Sequence, residues 1–462
     1  MRWWATLWMA MACTSGAGPG ASTSEPVPDE TAVTETDVPE AGPTWYADVG
    51  PLVRERCAGC HVQGGPSFSL IEADEAAIWS SAMALAVRAR TMPPWGAWDS
   101  DRCTHPHPLQ GSLRLTESEI AMIEAWDEAG APLGAVEDLA APPTAPSLAS
   151  PTLEATPAEA FPVQPVGDEI VCARLPVDLT ETQYVTGLEM DPGDTRVAHH
   201  AVLSLAPASA NVPIPEEGWV SCPGGVPGTI PTFFWAPGTA PFEAPFDSAL
   251  KVEAGAQWVI QMHYHPAGQV VEPTRPTLKV AMSTEVPAYL SVLDLVGNAK
   301  TAASGLQPEA TDPASGPQFL VPADTLHTET MHVAVADTIG EGARLWGIGN
   351  HMHRVGSAMK VNRLVGDACL LDTPVWDFDW HRLYLYDATL EDLPTLVAGE
   401  VLKLSCTYDN RLSHPGTVQT LSEAGVEAPV DVEMGGGELD EMCITLLGMI
   451  WPNPDYQGDS GQ

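Results

Sequence analysis

Basic residues are scarce in this chain. Its 462 residues include 20 Lys and Arg against 61 Asp and Glu, which gives a formal net charge of −41. A surface this acidic repels phosphate groups, so nucleic-acid binding and electrostatic attachment to an anionic membrane are excluded as functions. The apolar run near the N-terminus covers only about ten residues, which is too short to span a bilayer.

That apolar run has the features of an export signal. It follows Arg2 and ends in Ala10-Met11-Ala12-Cys13, so residues 1–13 are predicted to be a signal peptide. Two processing routes stay open: acylation of Cys13, as in a bacterial lipoprotein, or ordinary cleavage near Ala12. Residues 14–43 contain no Lys or Arg and predict a disordered acidic tether. We expect an exported protein, periplasmic or at the cell surface, with a lipid anchor in the outer membrane as one option.

A haem attachment sequence follows the tether. Cys57-Ala58-Gly59-Cys60-His61 has the C-x-x-C-H pattern in which two thiols bind the haem covalently and the histidine ligates its iron. Met92, in Thr91-Met92-Pro93-Pro94-Trp95, is the predicted second axial ligand, because a thioether suits electron transfer. The competing candidates for that position are Met83, His105 and His107.

The segment around this motif is predicted to be a small helical haem domain, residues 44–135. A helix is expected over 74–90, with Trp79, Met83 and Val87 on its buried face. A capping box at 116–119 opens a second helix, which ends at Gly130. Residues 136–165 are rich in Pro and Ala and predict a semi-extended linker.

The remaining chain, residues 166–456, is predicted to be all-β. Short apolar runs alternate with turn residues at roughly ten-residue spacing, and no long helical pattern is present. The expected strands are Val197–Leu205, Gln257–Tyr264, Leu278–Met282, Arg344–Ile348, Ser357–Leu364, Val401–Tyr408 and Ile444–Ile450. About 290 residues is large for a single sandwich, so two tandem jelly-roll sandwiches are predicted.

Histidines and one methionine in these strands predict metal sites. The candidate residues are His199, His200, His263, His265, His351, His353 and Met442. Imidazole together with a thioether suits copper better than calcium or magnesium, whereas zinc more often has carboxylate or thiolate ligands. Adjacent histidines such as His199 and His200 can hold one metal only where the strand twists or bulges. In an extended strand, His351 and His353 share a face.

Four stretches of the β region, taken in chain order, resemble the copper type II, ascorbate-dependent monooxygenases: RVAHHAVLSL, WVIQMHYHPAG, GNHMHRVG and LDEMCITLLG. This family includes peptidylglycine α-hydroxylating monooxygenase and dopamine β-monooxygenase. The resemblance covers roughly residues 166–455 and implies two copper ions facing each other across a solvent-filled cleft. It implies an electron-relay copper on His199, His200 and His263. It also implies an oxygen-binding copper on His351, His353 and Met442, where catalysis would occur.

The same resemblance has further implications. The segment containing CAGCH and RTMPPW is similar to the monohaem cytochrome domain that precedes some bacterial copper monooxygenase domains. Six cysteines remain beside Cys13, Cys57 and Cys60, an even number that indicates disulfides, although spacing alone leaves their pairing open. The resemblance implies a pair between Cys406 and Cys443. It assigns no ligand role to His265, and it matches Cys172, Cys222 and Cys369 less cleanly.

One departure from the family concerns the substrate. The peptide-hydroxylating member holds a substrate carboxylate with an arginine, an asparagine and a tyrosine at positions where this chain has Gly349, Ile444 and Leu446. A C-terminal peptide is therefore not the expected substrate. The interpretation is a copper monooxygenase that hydroxylates a C–H bond of a small organic substrate with O2, with electrons from an external donor passing through haem c. The alternative is a non-enzymatic copper and haem protein for electron transfer or copper binding.

Overall fold

The computed structural model describes residues 42–63, 67–137, 139–141, 146–266, 268–310 and 312–457. The predicted signal peptide therefore lies outside the described residues, as does the acidic tether up to residue 41. Among the described residues, no helix has the length and apolar character needed to cross a membrane.

Residues 45–128 contain four short α-helices. A π-helical turn, Trp45–Val49, leads into α1, and the helices are α1 Gly50–Arg56, α2 Ala73–Ile78, α3 Ser80–Arg88 and α4 Glu117–Glu128. The prediction of a single helix over 74–90 is wrong, because the helix is interrupted at Trp79. Met83 and Val87 are buried as predicted, but Trp79 is 39% exposed and stacks on Phe68.

The start of α4 is the predicted capping box. The Thr116 hydroxyl accepts a hydrogen bond from the Glu119 amide at 3.2 Å, and the Glu119 carboxylate accepts one from the Thr116 amide at 2.6 Å. These two bonds satisfy amides that the first turn of a helix leaves without partners. The apolar face of α4 then packs Trp126 against Trp45, at 5.7 Å between ring centroids.

The rest of the described chain is mostly β-strands. In chain order they are β1 Leu153–Ala155, β2 Glu169–Leu175, β3 Gln183–Asp191, β4 Ala198–Ala206, β5 Val220–Ser221, β6 Ile230–Trp235, β7 Phe242–Glu243, β8 Ser248–Val252, β9 Gln257–Tyr264, β10 Thr277–Ser283, β11 Tyr289–Gly297, β12 Leu320–Val321, β13 Leu326–Ala334, β14 Arg344–His351, β15 Gly356–Arg363, β16 Cys369–Thr373, β17 Leu383–Leu385, β18 Val401–Asp409, β19 Val432–Glu433 and β20 Ile444–Pro452. The seven predicted strands are confirmed. One further helix, α5 Pro415–Glu423, was not predicted.

The strands form two sandwiches that share one long sheet. This sheet has the order β1-β10-β3-β8-β11-β20-β14-β17, and a parallel contact between β8 and β11 joins its halves. A five-stranded sheet, β5-β2-β9-β4-β6, covers the first half, and a four-stranded sheet, β13-β18-β15-β16, covers the second. Separate apolar cores fill the two sandwiches, around Trp258 and Ile260 in the first and around Trp346 and Leu404 in the second. The predicted β-sandwich architecture is therefore confirmed.

The segment after α3 is fastened to the second sandwich. Cys103 forms a disulfide with Cys369, 266 residues further along the chain. Trp95 packs edge-on against Tyr384 at 5.2 Å, and Leu109 pairs with Tyr386 in an isolated β-bridge. The helical unit therefore does not depend on residues 136–165 alone for its attachment to the sandwiches. Within that predicted linker, β1 pairs with β10 and extends the long sheet. The prediction of a linker is therefore wrong for this part of the segment.

Two further disulfides lie inside the sandwiches. Cys172 pairs with Cys222, and Cys406 pairs with Cys443, as the family resemblance implied. Disulfides persist in oxidising compartments, so three of them support export of the protein. The Cys406–Cys443 bond links β18 to the segment that precedes β20 and carries Met442.

Candidate metal centre

A bulge in β4 brings three histidines together. The pairing between β4 and β9 shifts at His199, and His200 then lies directly opposite His263. The extra residue turns the His199 side chain towards the same face, which is the twist or bulge that two adjacent ligands require. We call His199, His200 and His263 the first histidine group.

The ring nitrogens of the first histidine group face one another. The Nδ1 atom of His199 lies 3.1 Å from Nδ1 of His200 and 3.3 Å from Nδ1 of His263. Nitrogen ligands about 2.0 Å from one metal ion lie about 2.8 Å apart at right angles and about 3.3 Å apart at the tetrahedral angle. The two observed spacings fall in this range, and ligand atoms of all three histidines lie within 4.8 Å of one another, so the group has the spacing to hold a single metal ion.

Two carboxylates determine the tautomers of this group. Nε2 of His199 donates to Asp379 at 3.0 Å, and Nε2 of His263 donates to Asp168 at 2.8 Å. With the proton on Nε2, a neutral imidazole has a bare lone pair on Nδ1. When both rings are neutral, the 3.3 Å contact between Nδ1 of His199 and Nδ1 of His263 therefore joins two lone pairs. A cation between them would turn this repulsion into coordination.

Burial disfavours the protonated forms of His263 and His200. Burial lowers the pKa of His263 to about 4 and that of His200 well below its usual value. For Asp168, burial acts to raise the pKa, but hydrogen bonds from His263 and His265 outweigh it and leave the pKa well below the usual range. Asp168 is thus an anion that orients the His263 imidazole, an arrangement common behind metal ligands. His265 donates to the same carboxylate at 2.5 Å.

The second histidine group, His351 and His353, lies at the end of β14. The two rings are 5.5 Å apart, while Met352 between them is fully buried in the core. Side chains therefore alternate here as the sequence predicted. The Nδ1 atom of His353 lies 2.8 Å from the carbonyl of Asp440, and donation to this carbonyl leaves Nε2 free for a metal.

Glu441 ties this group to the segment carrying Met442. Its buried carboxylate accepts hydrogen bonds from the amides of His353 at 2.7 Å, Val355 at 2.8 Å, Gly356 at 3.0 Å and Met442 at 3.1 Å. The carboxylate thus holds both segments in register, although burial raises its pKa to about 8. Sequence reasoning missed Glu441, because its partners are amides that carry no sequence signal.

The resemblance implied that the two groups face each other across an open cleft. The structure differs from this expectation. The loop between β16 and β17 lies between them and places His381 in contact with both. Its ring is 4.8 Å from that of His351 and 5.1 Å from that of His200. Phe378 of the same loop stacks on His199 at 5.1 Å, so the histidines form one contiguous, largely buried cluster.

Arg354 links the second group to the first. It follows His353, lies 3.5 Å from the Asp168 carboxylate, and has its guanidinium 4.9 Å from the Phe378 ring centre. Sequence reasoning missed Asp168, Asp379, His381 and Arg354. Each is an isolated polar residue far from its partners in the chain, so no local pattern marks it.

The haem attachment motif lies near the same loop. Cys57 and Cys60 are not disulfide-bonded, and burial raises the pKa of the Cys57 thiol to about 12, unlike a low-pKa redox pair. Nδ1 of His61 lies 2.9 Å from the carbonyl of Phe68; donation to it leaves Nε2 free for an iron ion. A Cβ atom added to Gly238 would lie 2.9 Å from the Cys60 sulfur and 3.9 Å from Arg382, so glycine leaves the room needed beside this thiol.

The candidates for the second axial ligand differ in their surroundings. His105 is buried and held by Asp99 at 2.8 Å and by the Asp372 amide at 3.2 Å, which occupies both ring nitrogens. His107 binds the Asp392 carbonyl at 2.9 Å. Met83 is buried in the helical core, against which Cys57 also packs, whereas Met92 is half-buried in the segment after α3. The role of Met92 stays a prediction.

A further histidine and carboxylate group lies on β13. His327 is 3.3 Å from Glu329 and 3.7 Å from Glu309. The hydrogen bond to Glu329 raises the pKa of His327. These three residues also bring their ligand atoms within 4.8 Å of one another, so this group has the spacing of a metal site as well as that of an ion pair.

Comparisons with known proteins leave the family open. No protein-family model matches this chain, and no curated protein matches it. A similar solved structure is the major capsid protein P2 from bacteriophage PM2, with 10% identity over 66% of this chain and 99% of the capsid chain, at a TM-score of 0.25. A likeness at that TM-score carries no argument about this chain.

Proposed function

We propose that this chain is an exported, copper-dependent monooxygenase that hydroxylates a C–H bond of a small organic substrate and takes electrons through its own haem c. The observation that carries the proposal is the convergence of three imidazoles, with Nδ1 of His199 3.1 Å from Nδ1 of His200 and 3.3 Å from Nδ1 of His263. Carboxylates hold both rings in the tautomer that binds a metal. The periplasm or cell surface is the proposed location, with a lipid anchor on Cys13 as one option.

The roles of the residues follow from their positions. His199, His200 and His263 would hold an electron-relay copper, and His351, His353 and Met442 would hold a second copper beside the substrate. Bound copper supplies one-electron redox chemistry with O2, and a thioether ligand favours its reduced state. Asp168 and Asp379 orient the rings of the first group, and Glu441 holds Met442 at the second.

The haem would deliver electrons from a fixed position. Cys57, Cys60 and His61 would hold it, with Met92 as the proposed second ligand. Cys60 packs beside Gly238 and Arg382, and Arg382 directly follows His381, which contacts both histidine groups. Electrons would then pass through the segment that contains Arg382 and His381. The Cys103–Cys369 disulfide would help to hold the helical unit in this position.

The substrate is proposed to lack a carboxylate at its binding end. A Cβ atom at Gly349 would lie 2.7 Å from the Arg382 carbonyl, so the arginine of the peptide-hydroxylating enzyme has no room here. Leu446 is buried and Ile444 is half-buried, and neither offers a hydrogen bond. A buried carboxylate without a partner costs several kcal/mol, whereas a neutral or apolar substrate avoids that cost.

The experiment is oxygen consumption by copper-loaded protein with a reductant and a panel of small, neutral, hydroxylatable compounds. A monooxygenase consumes one O2 for each hydroxylated product and transfers labelled oxygen from ¹⁸O2 into it. The second candidate, a non-enzymatic electron-transfer or copper protein, is favoured by the burial of both histidine groups. It predicts reversible reduction of the haem and copper, with no labelled product from any compound in the panel.

A stopped-flow measurement tests electron delivery separately. The haem is reduced in advance, the copper is left oxidised, and other donors are excluded. We expect first-order haem oxidation at a rate independent of protein concentration, and loss of this phase in His263→Ala. A haem that stays reduced on the timescale of turnover would contradict delivery through this domain.

A further inference from the structure

A histidine and two carboxylates meet at one face of β13. His327 and Glu329 are two residues apart, so they share this face, and the Glu329 side chain is only 4% exposed. Glu309 comes from the segment before β12, and its carboxylate lies 3.7 Å from Nε2 of His327. Neither the strand pattern nor the family resemblance assigns these residues a role. We call Glu309, His327 and Glu329 the β13 group.

Backbone hydrogen bonds place Glu309 beside β13. The Gln307 amide donates to the carbonyl of Thr330 in β13 at 2.9 Å. The Asp312 carboxylate accepts a hydrogen bond from the Glu309 amide at 2.5 Å. The fold itself therefore brings the Glu309 carboxylate to His327.

An ion pair does not fully account for these contacts. One N–H on Nε2 of His327 can point at only one oxygen, yet this atom lies 3.3 Å from Glu329 and 3.7 Å from Glu309. The contact to Glu329 is poorly aligned, so Nε2 is buried without a well-formed hydrogen bond among the described residues. The other ring nitrogen, Nδ1, is not buried in this way. It can therefore carry the proton while Nε2 offers its lone pair to a metal ion.

The β13 group also has more negative charge than one imidazolium can balance. Burial raises the pKa of Glu309, and His327 does not offset this effect, to which the carboxylates of Glu329 and Asp312 add. Glu329 accepts a hydrogen bond from the Leu320 amide at 3.0 Å, but an amide does not neutralise a buried carboxylate. A divalent cation between the three side chains would compensate their charge.

The spacing and the ligand types suit zinc. Ligand atoms of the three residues all lie within 4.8 Å of one another. For bonds of about 2.0 Å, a separation of 3.3 Å corresponds to the tetrahedral angle and one of 3.7 Å to about 130°. The Glu309 side chain is 28% exposed, so a small movement would narrow the wider angle. Imidazole and carboxylate are both common zinc ligands, and the β13 group has no sulfur ligand that would favour reduced copper.

We propose that the β13 group is a zinc site, with Nε2 of His327 and one carboxylate oxygen each from Glu309 and Glu329 as ligands. Water would fill the fourth position, at the side where Glu309 reaches the surface. The ion would tie the segment before β12 to β13, the first strand of its four-stranded sheet. This inference goes beyond the proposed function and requires neither copper nor haem.

The test measures zinc in the full-length haem protein, loaded beforehand with two equivalents of copper so that the histidine groups are occupied. After dialysis against micromolar zinc, we expect about one zinc ion per chain. X-ray absorption at the zinc edge should show one imidazole, oxygen ligands and no sulfur.

Two variants remove a ligand each, and a third is the matched control. His327→Gln and Glu309→Gln should each lower the zinc affinity by more than about 100-fold, since even the loss of a residue behind a metal ligand costs about 10- to 100-fold. The copper content should not change in either variant. His332→Gln alters a histidine on the opposite face of β13 and should keep the zinc.

The outcomes decide the proposal. An unaltered protein that binds no zinc would overturn it, as would zinc that stays bound in both ligand variants or that shows three imidazoles. If His327→Gln alters the circular dichroism, the partly exposed Glu309 decides the question: loss of zinc in Glu309→Gln supports the site, and retained zinc contradicts it. A protein that takes up no copper but loses a zinc ion in Glu309→Gln would contradict only the proposed function.

Discussion

Asp168→Asn should weaken copper binding at the first histidine group without removing a ligand. The Asp168 carboxylate accepts hydrogen bonds from His263 at 2.8 Å and His265 at 2.5 Å, and its side chain is only 14% exposed. Asparagine has the same shape, but its amide nitrogen can face Nε2 of His263 and favour the tautomer that carries the proton on Nδ1. That tautomer cannot bind copper through Nδ1.

The size of the effect follows from the burial of the carboxylate. Removing a hydrogen-bond partner behind a metal ligand weakens metal binding by about 10- to 100-fold, or about 1.4–2.7 kcal/mol. Because Asp168 serves two rings in a buried site, we expect about 100-fold. Asp379 serves His199 alone and its side chain is 53% exposed, so Asp379→Asn should cost only about 10-fold.

The assay is a competition titration with a copper chelator of known affinity. Asp194→Asn is the control, because Asp194 pairs only with Arg196 at the surface and should leave the affinity within about twofold. An unchanged affinity in Asp168→Asn would refute the role of Asp168 in fixing the tautomer. A larger loss in Asp379→Asn than in Asp168→Asn would refute the argument from burial.

Three further predictions concern ligands, pH and substrate. Met442→Ala should leave the fold and haem spectrum intact and abolish turnover, because it removes the proposed thioether ligand of the second copper; near-normal turnover would contradict this. Protons compete with a metal only below the pKa of its ligand, and burial lowers the pKa of His263 to about 4 and that of His351 to about 3. Copper affinity at the second histidine group should therefore stay nearly constant from pH 7 to pH 5, since the pKa of His353 is lowered as well; a tenfold loss per pH unit starting near 6.5, the ordinary histidine value, would show exposed ligands. Glycine-extended peptides should not be hydroxylated, because Gly349 leaves no room for a carboxylate-binding arginine, and efficient turnover of such a peptide would overturn this.

Features with a local cause were predictable from the sequence. The strand periodicity located β9 at its observed bounds, and the adjacent pair His199 and His200 required the bulge that β4 contains. The capping box at Thr116 depends on neighbours three residues apart and was also predictable. The break at Trp79 was missed, because the apolar spacing continues through it although the helix does not.

Features that depend on distant residues were not predictable. His381 and Asp379 come from a loop with no regular pattern, and only the folded chain brings them to His351 and His199. The same is true of the Cys103–Cys369 disulfide, whose partners are 266 residues apart. The sequence indicated a linker between the helical unit and the sandwiches, but these long-range contacts decide how the two are attached.

Elemental analysis of the purified, copper-loaded protein tests the central claim most directly. The account predicts about two copper ions and one iron ion per chain, with one copper lost in His263→Ala and the iron retained. Zinc in place of copper, or a copper content unaffected by His263→Ala, would contradict a copper site built from the first histidine group.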